Sequence, residues 1–216
     1  MTYTLPPGTP DGLRRFLTPR ERPEESCEMC GNSFNDRHPH VVDLSTRALM
    51  CCCLSCGLLF TTPGAAQGRY RTVPDRRRRV EDLVLTDAQW DALAVPVGLA
   101  FLFHNSALGH VVAMYPSPAG ATESQLAMDA WDEVVAGNPV LADVEPDVEA
   151  VLLRRHDGDD QPAFSCYLVP IDACYTLVGL VRTHWRGFDG GTEARRAIDA
   201  FFDDLDARAR VVEAGR

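Results

Sequence analysis

Two copies of the pattern C-x-x-C-G constrain this chain more than any other feature of its sequence. They occupy residues 27–31 (CEMCG) and 53–57 (CLSCG), with 22 residues between the two copies of C-x-x-C. In such a knuckle two thiolates sit on one tight turn, where glycine permits a positive φ. Two facing knuckles place four sulfurs in a tetrahedron, which predicts a zinc-ribbon module over residues 26–62. The predicted metal ligands are Cys27, Cys30, Cys53 and Cys56.

The stretch between the two knuckles supports this arrangement. HPHVVDL and RALMCCC have the composition of strands and are separated by ST. A hairpin built from them would return the chain to the first knuckle.

Two further cysteines crowd the second knuckle. On a strand, Cys51 and Cys53 face one way and Cys52 faces the other, so we expect Cys52 in the core and Cys51 beside the metal. A shift of register would change the ligand set, and sets that use Cys51 or Cys52 together with Cys56 remain open.

The other sulfur and imidazole groups are not expected to bind metal. His38 and His40 lie between the knuckles, but four cysteines already satisfy a tetrahedral ion, so we expect surface or hairpin histidines. Cys166 and Cys174 lie in apolar segments, where thiols usually pack as small hydrophobic groups.

The identity of the metal is less constrained than its presence. Four thiolates suit Zn²⁺ and also mononuclear iron of the rubredoxin kind. Rubredoxin knuckles usually carry proline and aromatic residues near the second pair, and CLSCG has neither. We therefore expect structural zinc, with a rubredoxin-like iron electron carrier as the alternative.

The rest of the chain divides into three segments. Residues 1–25 are rich in proline and predict an extended arm, and residues 63–79 contain six arginines and predict a basic linker. Residues 80–216 predict an α+β domain, a mainly antiparallel sheet with helices packed on one face. Its clearest signals are a helix capped by Thr86, a hairpin over 98–116 and helices over 124–136, 172–186 and 192–212. Strands are predicted over 80–85, 148–155 and 163–170, and a loop over 115–124.

Composition excludes several classes of function. The formal charge is −10, with 31 acidic and 21 basic residues, which disfavours binding to nucleic acid. The longest apolar run, VPVGLAFLF, is too short to span a bilayer. No secretory signal is recognisable, so we expect a cytoplasmic protein with reduced thiols. No phosphate loop, G-x-S-x-G or H-E-x-x-H pattern occurs, and we expect no enzyme activity.

Several segments together resemble a known family. These segments are the head CEMCG…HPHVVDL…CCCLSCGLLF and, after it, VPVGLAFLF, AMYPSPAGATES, NPVLADVEPDVEA and LVGLVRTHWRGFDGG. Together they resemble an uncharacterised bacterial family found in the gene neighbourhoods of [NiFe]-hydrogenases. The resemblance implies an accessory or maturation protein for such an enzyme, or a partner in electron transfer. It implies no catalytic residues.

These observations lead to one hypothesis, a non-enzymatic zinc-ribbon protein whose second domain binds another protein. That partner would be a hydrogenase subunit or a maturation factor. The basic linker and residues 184–187 are the candidate contact surfaces.

Overall fold

The computed structural model describes residues 26–124, 128–156, 163–187 and 190–215, so the predicted arm lies outside the described residues. The described residues form ten strands and five α-helices. The strands are β1 (His40–Asp43), β2 (Ala48–Cys51), β3 (Tyr70–Thr72), β4 (Arg78–Glu81), β5 (Leu99–Asn105), β6 (His110–Ser117), β7 (Gly120–Glu123), β8 (Glu149–Arg155), β9 (Phe164–Pro170) and β10 (Arg210–Glu213). The helices are α1 (Leu54–Leu58), α2 (Asp87–Ala92), α3 (Met128–Gly137), α4 (Ile171–His184) and α5 (Gly191–Arg208).

Seven of the strands form the central sheet, in the order β10-β4-β9-β8-β5-β6-β7. Every pairing in it is antiparallel except that of β10 with β4. This mainly antiparallel sheet with its helices confirms the predicted α+β class.

Helices cover both faces of this sheet, where the sequence led us to expect one. The central strands are apolar on both sides: along β8, Ala150 and Leu152 face one cluster while Val151 and Leu153 face the other. Both faces therefore have to be covered. Helices α4 and α5 pack on the first side, and α2 and α3 on the second.

The other three strands form a small sheet in the order β2-β1-β3. It carries the predicted cysteine hairpin, with β1 and β2 antiparallel and joined by residues 44–47. Val42 of β1 and Val73, which follows β3, are buried in the same cluster as α4 and α5. The small sheet thus lies on the α4–α5 side of the central sheet.

Residues 63–79, predicted as a linker, instead belong to both sheets. Strand β3 pairs with β1, and β4 begins at Arg78 and pairs with β9. Each arginine of this segment forms an ion pair with an acidic side chain of the same chain. These pairs are Arg69–Asp43, Arg71–Glu145, Arg76–Glu149, Arg77–Asp75, Arg78–Asp143 and Arg79–Asp206.

Most predicted elements of the larger domain are present with shifted ends. The Thr86 side chain accepts a hydrogen bond from the Gln89 N–H, and the Gln89 side chain accepts one from the Thr86 N–H, as the capping box requires. Two strands of this larger domain were not predicted. Strand β7 occupies the predicted loop, and β10 takes the end of the predicted last helix, because pairing with β4 extends the chain after Arg208.

Among the described residues, no helix is long and apolar enough to cross a membrane.

Candidate metal centre

The structure brings the four predicted ligands together. The sulfurs of Cys27, Cys30, Cys53 and Cys56 all lie within 4.8 Å of one another. Cys30 Sγ and Cys53 Sγ are 3.7 Å apart. Tetrahedral Zn–S bonds of about 2.3 Å place neighbouring sulfurs about 3.8 Å apart, so the Cys30–Cys53 pair already has the separation expected in a four-thiolate site.

The first knuckle has the predicted geometry. The Gly31 N–H donates to the Cys27 carbonyl at 2.7 Å, and Gly31 adopts a φ of 76°. Burial raises the pKa of Cys27, but hydrogen bonds from the backbone N–H groups of Cys53, Met29 and Cys30 outweigh it and bring the value to about 6. Backbone amides therefore stabilise a thiolate at Cys27.

The second knuckle is built differently from the first. Cys53 is the extended residue before α1, and the Gly57 N–H donates to the Cys53 carbonyl at 2.9 Å as the helix begins. Gly57 lies inside this helix without a positive φ, so the predicted symmetry of the two glycines is wrong. A Cβ at Gly57 would lie 2.8 Å from Pro39 Cγ, so glycine is needed here for close packing. Residues 54–58 form α1, a helix that the sequence did not lead us to expect.

The pKa values of the Cys30 and Cys56 thiols are raised, so these two groups resist ionisation. The hydrogen bond to Cys30 is the main reason why the pKa of Cys56 is raised far above its usual range. For Cys30, the Asn32 N–H is the largest influence and lowers the pKa, but the Cys27 sulfur and burial together raise it. Crowded sulfurs cannot all carry negative charge unless a cation compensates them, and a metal ion provides that compensation.

Cys52 packs in the core, as predicted. Its side chain is fully buried and donates to the Pro39 carbonyl at 3.2 Å. Burial is the largest cause of the rise in its pKa to about 11. The ligand set that uses Cys52 is therefore not the one the structure assembles. Cys166 and Cys174 are also fully buried, and burial raises the pKa of both thiols.

Cys51 lies in a group that sequence reasoning missed. Its sulfur and one ring nitrogen each of His38 and His40 lie within 4.8 Å of one another. A signal for this group was present, because His40 and Cys51 are direct partners across the β1–β2 hairpin. The two-residue turn ST already implies this register, because a turn that pairs residue 44 with residue 47 also pairs His40 with Cys51.

Residues 184–187, a candidate contact surface from the sequence, form the end of α4 and the start of the connection that follows it. Helix α4 ends at His184, and the Trp185 Nε1–H donates to the Gly187 carbonyl at 3.0 Å. The ring of Trp185 fills the space beside Gly190, where a Cβ would lie 2.9 Å from the ring. This tryptophan therefore has a packing role, while Arg182 and His184 place basic groups at the negative end of the helix.

Comparison with known proteins places the chain in a family. No curated protein and no solved structure matches it. A family described as "Family of unknown function (DUF5947)" matches residues 26–209, which include the four-cysteine cluster and nearly all of the α+β domain. The protein therefore belongs to the DUF5947 family, whose function is unknown.

Proposed function

We propose that this protein is a non-enzymatic accessory factor in which Cys27, Cys30, Cys53 and Cys56 hold a structural Zn²⁺ ion. The observation that carries the proposal is the convergence of four sulfurs within 4.8 Å at the end of a small sheet. Four thiolates leave a tetrahedral ion no open position, which suits a structural role and not a catalytic one.

The small sheet needs the metal because its own core is small. Around the cysteines, the fully buried apolar residues are Cys27, Val41 and Cys52. A module with so few buried side chains gains too little from apolar burial to fix two knuckles and a five-residue helix. Zinc binding supplies that free energy, because the unfolded knuckles bind the ion poorly.

An apolar surface on α1 supports a role in binding another protein. The side chains of Leu54, Leu58 and Leu59 are 68%, 61% and 66% exposed. Leu54 directly follows Cys53, and Leu58 and Leu59 directly follow Gly57 at the end of the second knuckle. Neighbouring exposed leucines on a rigid element are typical of protein contact surfaces. The arginines of residues 63–79 support this role less well, since their charges are paired within the chain.

We propose a subunit or a maturation factor of a [NiFe]-hydrogenase as the partner. This part of the proposal rests on the resemblance described above. The leucine surface would enter an apolar groove of that partner, and the zinc would hold α1 in position for it.

Metal content tests the first part of the proposal. We expect the purified protein to contain zinc at the four-cysteine centre, and Cys53→Ser to lose that ion and lower the melting temperature. Cys166→Ala is the matched control, since it removes a buried thiol far from the cluster and should keep the ion. Elemental analysis together with thermal melting makes the measurement. Unchanged zinc content in Cys53→Ser would refute the ligand assignment, and a red protein containing iron would support the electron-carrier alternative.

The leucine surface is tested by binding to purified hydrogenase subunits and maturation factors. We expect Leu54→Ser combined with Leu58→Ser to weaken binding at least tenfold while zinc content and melting temperature stay unchanged. Leu108→Ser is the control, because Leu108 is 46% exposed in the β5–β6 turn, outside the small sheet. Equal affinities of the double variant and the control would contradict the proposed surface. Failure of the wild-type protein to bind any of these purified proteins would contradict the proposed partner.

A further inference from the structure

We propose that His38, His40 and Cys51 bind a second transition-metal ion, distinct from the ion at the four-cysteine centre. The Cys51 sulfur and one ring nitrogen of each histidine already lie within 4.8 Å of one another. None of these three residues belongs to the four-cysteine cluster, so the two sites share no ligand.

The hairpin itself brings the three side chains together. His40 and Cys51 are directly opposite each other on β1 and β2, so their side chains leave the same face of the small sheet. His38 precedes β1 by two residues and lies on that face as well. Its ring stacks on Phe34, with 3.9 Å between ring centroids, and lies 4.8 Å from the ring of His40. Packing therefore holds both rings in place before any ion binds.

The ring nitrogens of His38 are arranged as in a metal ligand. Nδ1 lies 3.1 Å from the Asn35 carbonyl oxygen, which can only accept, so Nδ1 carries the proton and Nε2 keeps its lone pair. Nε2 is buried and has no hydrogen-bond partner among the described residues. Burying an unpaired acceptor is unfavourable, and an ion bound at Nε2 would remove that cost.

Asp172 completes the surroundings of the site from the larger domain. It lies in the first turn of α4, and its Oδ2 is 2.9 Å from His40 Nδ1. The two atoms are within ion-pair distance but lack hydrogen-bond geometry. A small rotation of the His40 ring would form the hydrogen bond by which a carboxylate orients a ligating histidine and increases its basicity, so Asp172 is a positioning residue. The Cys51 thiolate and the Asp172 carboxylate together also match the charge of a divalent ion. The proposed ion would thus lie where the cysteine hairpin meets helix α4.

The donor set indicates the kind of ion and its coordination. Two imidazoles and one thiolate favour Zn²⁺ and neighbouring transition metals over Mg²⁺ or Ca²⁺, which prefer oxygen ligands. Three protein ligands leave a fourth position for water or another small ligand, in contrast to the closed four-cysteine site. Binding displaces the proton of the Cys51 thiol to solvent.

Metal stoichiometry of the full-length protein tests this inference, with Zn²⁺ or Co²⁺ added to the metal-free protein. We expect two ions per chain in the wild type and one in His38→Ala and in Cys51→Ser, while Cys53→Ser loses the other ion. With Co²⁺, Cys51→Ser should lose the part of the thiolate-to-cobalt absorption that belongs to the second site. The zinc-loaded His38→Ala protein should keep its four-cysteine ion, which shows that the small sheet is still folded.

Asp172→Asn provides a variant that keeps all three ligands. It should still bind two ions at saturation, with the affinity for the second ion lowered by about 10–100-fold. A merely structural aspartate would leave that affinity unchanged.

The two proposals fail in different ways. One ion per chain in the wild type, lost on Cys53→Ser and retained in His38→Ala, would overturn the second site and leave the structural zinc standing. One ion that is lost in His38→Ala and retained in Cys53→Ser would overturn the four-cysteine assignment instead. Two ions retained in both His38→Ala and Cys51→Ser would also overturn the second site.

Discussion

The side chain of Glu149 is a carboxylate with no exposed surface, and its ion pair with Arg76 compensates the cost of burying its charge. Arg76 Nε donates to Glu149 Oε1 at 2.5 Å and Nη2 donates to Oε2 at 2.6 Å, while the Glu145 N–H donates to Oε2 at 2.9 Å. The hydrogen bond to Glu149 is also the main reason why the pKa of Arg76 is raised. A buried charge paired in this way is far costlier to disrupt than an exposed ion pair.

We therefore expect Arg76→Ala to lower the free energy of unfolding by about 3 kcal/mol, since it leaves the buried carboxylate without its cation. The matched control is Arg208→Ala, which removes an exposed pair with Asp204 one helical turn away and should cost about 0.5 kcal/mol. Chemical denaturation of the zinc-loaded proteins makes the comparison. Equal losses in the two variants would show that Glu149 does not depend on Arg76.

Helix α1 is the element on which the cysteine centre depends most. Its five residues follow Cys53 and include Cys56 and Gly57, so one turn of helix places Cys53 and Cys56 beside the same sulfurs of the first knuckle. The helix can pack this closely on Pro39 only because residue 57 has no side chain. The absence of a side chain at residue 57 thus allows the helix that carries Cys56 to pack against Pro39, the residue before β1.

Two glycine substitutions test this packing. Alanine is favoured over glycine inside a helix by up to about 1 kcal/mol. At Gly179 of α4 a Cβ would meet nothing within 4 Å, so Gly179→Ala should stabilise the protein by about that amount. At Gly57 the contact with Pro39 reverses the sign, and Gly57→Ala should destabilise the zinc-loaded protein by about 1–2 kcal/mol. Thermal melting checks both, and a stabilising Gly57→Ala would show that Pro39 yields easily.

Features that depend on residues close together in the sequence were predicted, and features that depend on distant contacts were not. Each cysteine knuckle, the Thr86 cap and the β5–β6 hairpin depend on residues near one another in the sequence, and their patterns identified them. Helix α1 was not predicted because its five residues, LSCGL, are too few to show a helical period. Its helical form follows from the approach to Pro39 and to the first knuckle. Strand β10 was missed because the apolar spacing of α5 continues into it, and only the distant β4 ends the helix.

At the scale of the whole molecule, the small sheet is joined to the central sheet by both apolar and polar contacts. Val42 and Val73 lie in the same core cluster as Leu177 of α4. Arg71 of β3 reaches across to Glu145, at 2.9 Å, and also donates to the Pro146 carbonyl. Boundaries drawn from composition divided this structure at residues 63–79, because a run of arginines resembles a solvated linker until its acidic partners are known.

The position of β4 in the sheet has a consequence for folding during translation. Both neighbours of β4 come much later in the sequence, β9 beginning at Phe164 and β10 at Arg210. At about 5–20 residues per second, a ribosome needs several seconds to make the first of them. During that interval β4 has two unpaired edges, which in an apolar strand would invite aggregation. Arg76, Arg78 and Arg79 enter and begin β4, and their acidic partners come later in the chain, so their like charges would oppose association with other nascent chains during that interval.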